Sequence, residues 1–466
     1  MDNVSQNQQN FNSRLDELFK KVHLSKLLKS AGFKKRENYG ASVFQLFVMI
    51  FNSCFFLDNK TIYGNYTSHK KFNICCPKTT IYNFIGSIHN NWRKLHLLLA
   101  KVVITYIMTL NDSDRKTCFI IDDTMLERAK AKHVELLANV FDHVRKALIR
   151  GFTDLQIGWT DGVSYIPMLN ALLSSSNMKN IYVKARSNID KRTCGYKRRA
   201  ESMLKKPIVA INMIQEALNM GIKADYVLMD SWFTTEPFIK KINDLGLHVI
   251  GMVKALTQVY NYNGNLCTLH ELFQKIPNKS KRSIICSAVV KTKNGIDVKM
   301  VFVRNRNIKR EYLAILSTDI NLSDEDIVKY YSRRWFIETS FKAHKQYFKL
   351  GSESYGRSYD NSFAFVTISS IRYIILELDR RLEEDYRSYG EIFRNGVEQM
   401  PDIPFIVAIN TLIEKVKELP EILDKAGVLK ENCKEKTATI IKGELSLWFT
   451  GLNDYMQNLF NYLKEA

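Results

Sequence analysis

The stretch CFIIDDT, residues 118–124, decides the fold of this chain. It is a short apolar run that ends at Asp122 and Asp123, the pattern of a buried strand that leads into a loop. A second stretch, YVLMD at residues 226–230, repeats the pattern and ends at Asp230. Functional groups collect where the central strands of a helix-covered sheet end. Both strand ends are therefore candidate sites.

The segments around these two strands predict a mixed α/β sheet. FTDLQIGWTDGVSYIPMLNALL, residues 152–173, consists of two β-rich runs joined at Asp161-Gly162, which is a strong hairpin signal. A helix is predicted over about 197–220, another over about 235–245, and the strand LHVIGMV follows. The order strand, hairpin, helix, strand, helix, strand is typical of a sheet covered by helices.

Three further regions flank or interrupt this core, which comprises residues 116–254 and 319–352. Residues 1–115 are predicted to be helical. Pro77 and a basic turn precede a helix that Thr79 or Thr80 can cap, which fits a DNA-binding helix-turn-helix and equally a plain helical hairpin. Residues 255–318 alternate polar and apolar side chains and predict a β-rich insertion. Residues 353–466 are predicted to be helical.

The composition indicates a polyanionic partner. The 466 residues include 68 Lys and Arg against 48 Asp and Glu, a formal net charge of +20. Nucleic acid is the usual partner of such a surface, with an anionic membrane surface or a functionally neutral basic surface as alternatives. The polar N-terminus shows no signal peptide, and the apolar run at residues 41–57 is too short for a membrane span. We therefore expect a cytoplasmic protein without a membrane partner.

Carboxylates at the strand ends suggest metal chemistry. Asp122 or Asp123, together with Asp230 and the helical Glu338, can supply hard oxygen ligands for two Mg²⁺ ions. Two such ions about 3.5–4 Å apart catalyse phosphodiester cleavage and joining. Taken singly, each strand-end aspartate is also explained as a helix N-cap.

The glutamate lies in YYSRRWFIETSFKAHK, residues 330–345. On a continuous helix Tyr331, Arg334, Glu338 and Lys345 fall within an arc of roughly 60°. Such a stripe can hold a metal at its carboxylate and grip phosphates on either side. Trp335, beside the stripe, can stack on an unpaired base. The alternative is an exposed helix with an ion pair between Arg334 and Glu338 and a buried tryptophan.

This spacing, Y-(2)-R-(3)-E-(6)-K, resembles the signature of the bacterial insertion-sequence transposases of family four, which are DDE cut-and-paste enzymes. The resemblance runs from IDDT through GWTDGVSYIP and LMDSWF to the signature helix, and GRSYDNSFAFVTISSIRYIIL resembles the helix that follows it in the family.

The resemblance implies an RNase H-like catalytic domain with the β-rich insertion between the second aspartate and the glutamate. In the family the first aspartate directly precedes a Thr or similar residue, which assigns it to Asp123; the strand pattern by itself allows Asp122 equally. The metal ligands and catalytic residues would then be Asp123, Asp230 and Glu338, holding two Mg²⁺ ions for which Mn²⁺ can substitute.

The resemblance also implies contacts with double-stranded DNA. Tyr331, Arg334 and Lys345 would bind phosphates of the transposon end. Relatives cut through a hairpin intermediate in which an aromatic residue holds a flipped base, and Trp335 occupies that position. A second aromatic from the insertion stays unassigned.

A basic stretch, residues 184–206, supplies a further candidate DNA contact. Nine Lys or Arg residues stand there against two acids, and Lys197, Arg198 and Arg199 are consecutive. We expect these three side chains to bind the DNA backbone. The alternative is a solvated loop and helix face.

These observations predict a bacterial DNA transposase. It would bind the terminal inverted repeats of its element, pair two ends as a homodimer, cleave with Mg²⁺ and water, and join the 3′-OH ends to target DNA. Two alternatives remain open. One is a derivative that binds DNA but has lost its chemistry, and the other is a nuclease of the same fold without strand transfer.

Overall fold

The computed structural model describes residues 14–34, 40–55, 61, 62, 64, 76–111, 115–142, 145–254, 258–277, 279–280, 283–305, 308, 311–353, 355–382, 416–429 and 433–450. The chain forms two compact units, Leu15–Phe393 and Met1–Arg14 with Arg394–Ala466. The described parts of the second unit include the helices α13 (416–425) and α14 (Lys434–Thr450). All that follows concerns the first unit.

The described strands of this unit join in one mixed sheet. They are β1 (Cys118–Glu127), β2 (Ala138–Asp142), β3 (Ala147–Thr160), β4 (Tyr165–Leu173), β5 (Tyr226–Met229), β6 (His248–Val253), β7 (Val259–Tyr262), β8 (Asn265–Thr268), β9 (Ile284–Thr292), β10 (Asp297–Arg304) and β11 (Tyr312–Ser317).

The strands of residues 116–254, the predicted catalytic core, lie in the order β4-β3-β1-β5-β6. Strand β3 pairs antiparallel with both β1 and β4, whereas β1, β5 and β6 run parallel. This order and these directions are those of an RNase H-like sheet, so the predicted fold class is confirmed. The hairpin at Asp161-Gly162 is also confirmed: Asp161 Oδ1 accepts hydrogen bonds from the backbone N–H groups of Val163 and Ser164.

The β-rich segment after β6 extends this sheet. Strand β11 pairs antiparallel with β6, and the sheet continues through β10, β9, β7 and β8. Because the insertion is hydrogen-bonded to a core strand, the return of the chain along β11 brings the following helix back to the core.

Helices cover the sheet on both faces. They are α1 (14–21), α2 (Leu24–Ser30), α3 (Val43–Asn52), α4 (Lys78–Ile85), α5 (Trp92–Thr109), α6 (Cys194–Ser202), α7 (Lys206–Asn219), α8 (Glu236–Asn243), α9 (Leu269–Lys275), α10 (Asp324–Ser332), α11 (Trp335–Gln346) and α12 (Tyr359–Leu382).

Helix α12 forms the centre of the helical layer, buried from Tyr359 to Leu378 against α5 and β4. Its Arg372 is fully buried, pairs with Glu353 and donates to the carbonyls of Ile50 and Phe51 at the end of α3. A buried guanidinium needs this complete set of acceptors. The contacts fasten the N-terminal helices to the core.

Two predictions about helices are wrong, and a third falls largely outside the described residues. The long helix expected over the signature stretch is divided into α10 and α11, because the N–H groups of Phe336 and Ile337 bond three residues back, to Arg333 and Arg334, and tighten the chain there. Helix α4 begins at Lys78 after Pro77 and has no side-chain cap, so neither Thr79 nor Thr80 caps it. Most of the first helix of the expected helix-turn-helix lies outside the described residues.

Within the described residues, the apolar run at residues 41–57 forms the buried helix α3, as predicted. Across the described residues, no helix is long and apolar enough to cross a membrane.

Candidate active site on β1 and at the end of β5

The prediction that the first strand ends at Asp122 and Asp123 is wrong: β1 continues to Glu127, because its residues stay paired with β3 along that length. Consecutive residues of β1 face opposite sides of the sheet, and this separates the two neighbouring aspartates. Asp122 accepts a hydrogen bond from Arg334, and Thr124 accepts one from Lys345, so both lie on the side of the signature helix α11. Asp123 lies between them in sequence and pairs with Lys206 at the start of α7. The signature residues therefore gather around Asp122.

Arg334 joins two of the candidate carboxylates. Its Nη1 lies 2.9 Å from Oδ2 of Asp122, and its Nη2 donates to Oε1 of Glu338. Arg334 also hydrogen-bonds the phenol of Tyr331. One guanidinium thus connects three polar side chains, which is possible because its five donors form a rigid fork.

Asp230 is held by the turn that follows β5. Its Oδ1 accepts from the backbone N–H groups of Trp232 at 3.0 Å and Phe233 at 3.2 Å, and its carbonyl accepts from the hydroxyl of Thr234. Helix α8 begins later, at Glu236, so Asp230 orders a turn and does not cap a helix. One carboxylate oxygen stays outside this turn.

The site is a region of concentrated negative charge. Burial raises the pKa of Asp122 to about 7, the charge of Arg334 lowers it, and the charge of Asp230 raises it. Burial also raises the pKa of Tyr331 to about 12, with Arg334 opposing and Asp230 contributing. Asp230 thus lies near enough to Asp122 for its negative charge to disfavour ionisation of the Asp122 carboxyl.

Lys345 and Trp335 complete the signature side of the site. Lys345 Nζ lies 2.6 Å from Oγ1 of Thr124, two residues beyond Asp122. The Trp335 side chain is 63% exposed. The interpretation of Trp335 as a buried core residue is thereby excluded, and its indole is free to contact a ligand.

Asp123 occupies the opposite face of β1. Its Oδ1 lies 2.6 Å from Nζ of Lys206, which sits 4.2 Å from the centroid of the Trp232 indole. Asp123 is thus placed away from Glu338. The assignment of the first metal ligand to Asp123, which came from the family pattern, is not the one that this geometry favours; Asp122 is.

The basic stretch divides into exposed and buried parts. Lys197 is exposed, whereas Arg198 and Arg199 are 4% and 2% exposed. Arg199 pairs with Glu135 and Asp360, and Arg198 pairs with Asp360. The two guanidinium groups are enclosed by carboxylates that neutralise them. This burial and pairing contradict the expectation that Arg198 and Arg199 bind DNA. Of the three residues, only Lys197 stays a candidate DNA contact.

Sequence reasoning missed two polar groups near the site. Asp154 on β3 is fully buried, stands opposite Thr124 in the β1–β3 register, and accepts from Asn170, whose side chain accepts from Ser370. Lys206 is the last residue of the basic stretch, and the sequence pattern did not predict its contact with Asp123. The available signal for Lys206 was its position directly before Pro207, which marks the start of a helix.

The chemical character of the residues present suits a divalent cation. Within the described part of the chain, no three carboxylate, imidazole or thiol side chains converge closely enough to hold a metal. Asp122, Asp230 and Glu338 are nevertheless hard oxygen donors. The guanidinium of Arg334 pairs with both Asp122 and Glu338, so a positive charge already joins two of these three carboxylates.

The sheet order and the aspartates carried by β1 and by the turn after β5 define an α/β fold of the RNase H-like DDE class. Comparison with known families agrees: residues 70–268 match the family described as DDE superfamily endonuclease, and residues 207–374 match the family described as transposase DDE domain. No protein with a curated description matches the chain significantly. The two family matches support a DDE transposase or endonuclease, that is, a nuclease-type enzyme.

Proposed function

We propose that this protein is a cut-and-paste DNA transposase of an insertion sequence. It would bind the terminal inverted repeats, cleave phosphodiester bonds at the element's ends and join the 3′-OH ends to target DNA. The observation that carries the proposal is the sharing of Arg334 between Asp122 and Glu338, beside the Asp230 turn. The two family matches give independent support.

Asp122, Asp230 and Glu338 are the proposed metal ligands, with Mg²⁺ as the ion and Mn²⁺ as its substitute. When bound, a pair of such ions activates water or a 3′-OH and stabilises the leaving oxygen. The contribution of the chain is positional. The β1 ladder fixes Asp122, the turn after β5 fixes Asp230, and α11 presents Glu338 across from them.

DNA binding is assigned to cations and aromatics around this site. We assign phosphate contacts to Arg334, Lys345 and the exposed Lys197, because charge-assisted hydrogen bonds to phosphate are strong and independent of sequence. Trp335 is proposed to stack on an unpaired base, including the flipped base of a hairpin intermediate. Tyr331 is proposed to aim Arg334 and to bond a phosphate oxygen when Arg334 turns to the DNA.

The proposal includes pairing of two transposon ends by a homodimer, with the N-terminal helices recognising the repeats. This part is supported by the family resemblance and by the net charge of +20, which favours binding of long polyanions.

The test is cleavage of a labelled duplex that carries the end of the element, with Mg²⁺ and full-length protein. We compare wild type with Asp122→Asn, Asp123→Asn and Glu338→Gln. We expect the Asp122 and Glu338 variants to bind the duplex and to lose at least about 100-fold in cleavage, since metal ligands matter more than residues that merely orient them. Asp123→Asn should retain measurable cleavage.

Two controls separate the alternatives. If wild type binds and fails to cut with either Mg²⁺ or Mn²⁺, the protein is a binding-only derivative. If wild type cuts and a pre-cleaved end is never joined to a target plasmid, it is a nuclease without strand transfer. Cleavage lost in Asp123→Asn and kept in Asp122→Asn would reverse the assignment of the first ligand.

A further inference from the structure

The hydrogen-bonded ladder between β1 and β5 ends just before the site. The last register pair is Ile121 with Met229, one residue before Asp122 and Asp230 respectively. β5 ends at Met229, whereas β1 continues in its pairing with β3, so the β1–β5 ladder does not reach the two aspartates. The ladder itself therefore does not fix the separation of the two aspartates.

Lys206 contacts both β1 and the turn after β5, on the face of β1 that carries Asp123. Its ammonium lies 2.6 Å from Asp123 Oδ1, on the residue after Asp122, and 4.2 Å from the Trp232 ring centroid. Trp232 belongs to the turn that holds Asp230, because its backbone N–H donates to Asp230 Oδ1. The ammonium of Lys206 thus contacts both β1 and the turn that follows β5.

The position of Lys206 is itself fixed. It is the first residue of α7, followed by Pro207, and α7 packs on β3. The Lys206 side chain is 20% exposed and that of Asp123 is 24% exposed, so the pair is shielded from much of the solvent. Partial shielding strengthens both the ion pair and the cation–π contact.

We propose that Lys206 is a positioning residue that sets the distance between Asp122 and Asp230 through Asp123 and Trp232. This proposal rests on the proposed function, since it concerns the same metal site. It gives Asp123 a role in holding the site together, in place of metal ligation. The positive charge of Lys206 opposes the repulsion between the carboxylates carried by β1 and by the turn after β5.

If Lys206 positions the ligands, its removal changes the metal affinity in the direction opposite to the one that electrostatic repulsion alone predicts. Lys206 is a positive charge near a cation site, so Coulomb repulsion alone predicts that removing it makes metal binding tighter. If Lys206 positions the ligands, removing it makes metal binding weaker, as loss of residues that orient metal ligands does, by about 10-fold or more.

The experiment measures Mn²⁺ binding to the full-length protein without DNA, by the electron paramagnetic resonance signal of free Mn²⁺. The variants are Lys206→Met, Lys206→Arg and Lys205→Met; the last removes the same charge from the exposed neighbouring residue. We expect about 10-fold weaker binding in Lys206→Met, recovery in Lys206→Arg, and no weakening in Lys205→Met. Tighter or unchanged binding in a folded Lys206→Met protein overturns the proposal.

A second variant covers the case in which Lys206→Met fails to fold. Trp232 is 44% exposed, so Trp232→Leu is tolerated by the fold, and we expect it to weaken Mn²⁺ binding while Trp232→Tyr preserves it. Asp122→Asn tests the metal site itself. If wild type binds no Mn²⁺, the proposed site and the role of Lys206 both fall. If Asp122→Asn loses binding and neither Lys206→Met nor Trp232→Leu does, only the role of Lys206 falls.

Discussion

Asp122 and Arg334 form an ion pair of 2.9 Å between the middle of the central strand β1 and the start of the signature helix. They are 212 residues apart in sequence. The chain must complete the β5 and β6 strands and the whole insertion before Arg334 reaches Asp122. Since Arg334 also binds Glu338, this one pair assembles the acidic site and neutralises part of its charge while no metal is bound.

Arg334 and a metal should compete for the same carboxylates. In DNA-free protein we expect Arg334→Gln to bind Mn²⁺ about 5-fold more tightly, because a competing charge worth about 1 kcal/mol is removed. The same variant should bind the duplex end more weakly, with a shallower dependence of log Kd on log salt. The exposed Lys342 provides a matched charge control. Unchanged Mn²⁺ affinity would show that the guanidinium does not occupy the metal position.

Asp154 predicts a specific pH dependence of stability. Burial raises its pKa to about 7, against the opposing effects of Asn170 and Lys345. Between about pH 4 and pH 7 the folded state then holds a proton that the unfolded state has lost, so this group's contribution to stability falls as pH rises, by about 1.4 kcal/mol per unit.

The check is urea unfolding of wild type and Asp154→Asn from pH 4.5 to pH 8.5. The free energy of unfolding of wild type should decline relative to Asp154→Asn up to about pH 7 and then run parallel to it. A constant difference over the whole range would mean that Asp154 titrates at its ordinary pKa in the fold.

The buried arginines should affect stability, and the exposed lysine beside them should affect DNA binding. Arg199→Met leaves Glu135 and Asp360 short of a partner, and breaking a buried pair in this way costs about 3–5 kcal/mol of unfolding free energy. Lys197→Met should leave the unfolding free energy within about 0.5 kcal/mol of wild type and weaken duplex binding. Urea titration and a fluorescence binding assay measure the two effects. A stable Arg199→Met protein with weakened DNA binding would restore the original expectation for Arg199.

Trp335 should contribute to binding of unpaired DNA without contributing to the fold. We expect Trp335→Ala to keep the wild-type melting temperature and to lose about 1–3 kcal/mol of affinity for a duplex end with an unpaired base. Its loss of affinity for a fully paired duplex of the same sequence should be smaller. Equal losses on both substrates would argue against stacking and favour a contact with the DNA backbone.

The sequence by itself determined the strands that carry the aspartates, the Asp161-Gly162 hairpin, the β-rich segment and the Tyr331, Arg334, Glu338 and Lys345 set. These follow from local patterns: apolar runs bounded by polar residues, turn-forming dipeptides and fixed spacing along one helix. Such patterns depend on neighbouring residues, which is why they can be interpreted without a structure.

Tertiary structure decided the rest, because it depends on which residues meet across the sheet. The alternation of β1 puts Asp122 and Asp123 on opposite faces, but only the packing of α11 and α7 shows which face holds the signature residues. Likewise, KRR at residues 197–199 is uniformly basic, and the burial of two of its members arises from Glu135 and Asp360, which are distant in sequence. Long-range charge pairing leaves no local pattern, so it was settled only by the fold.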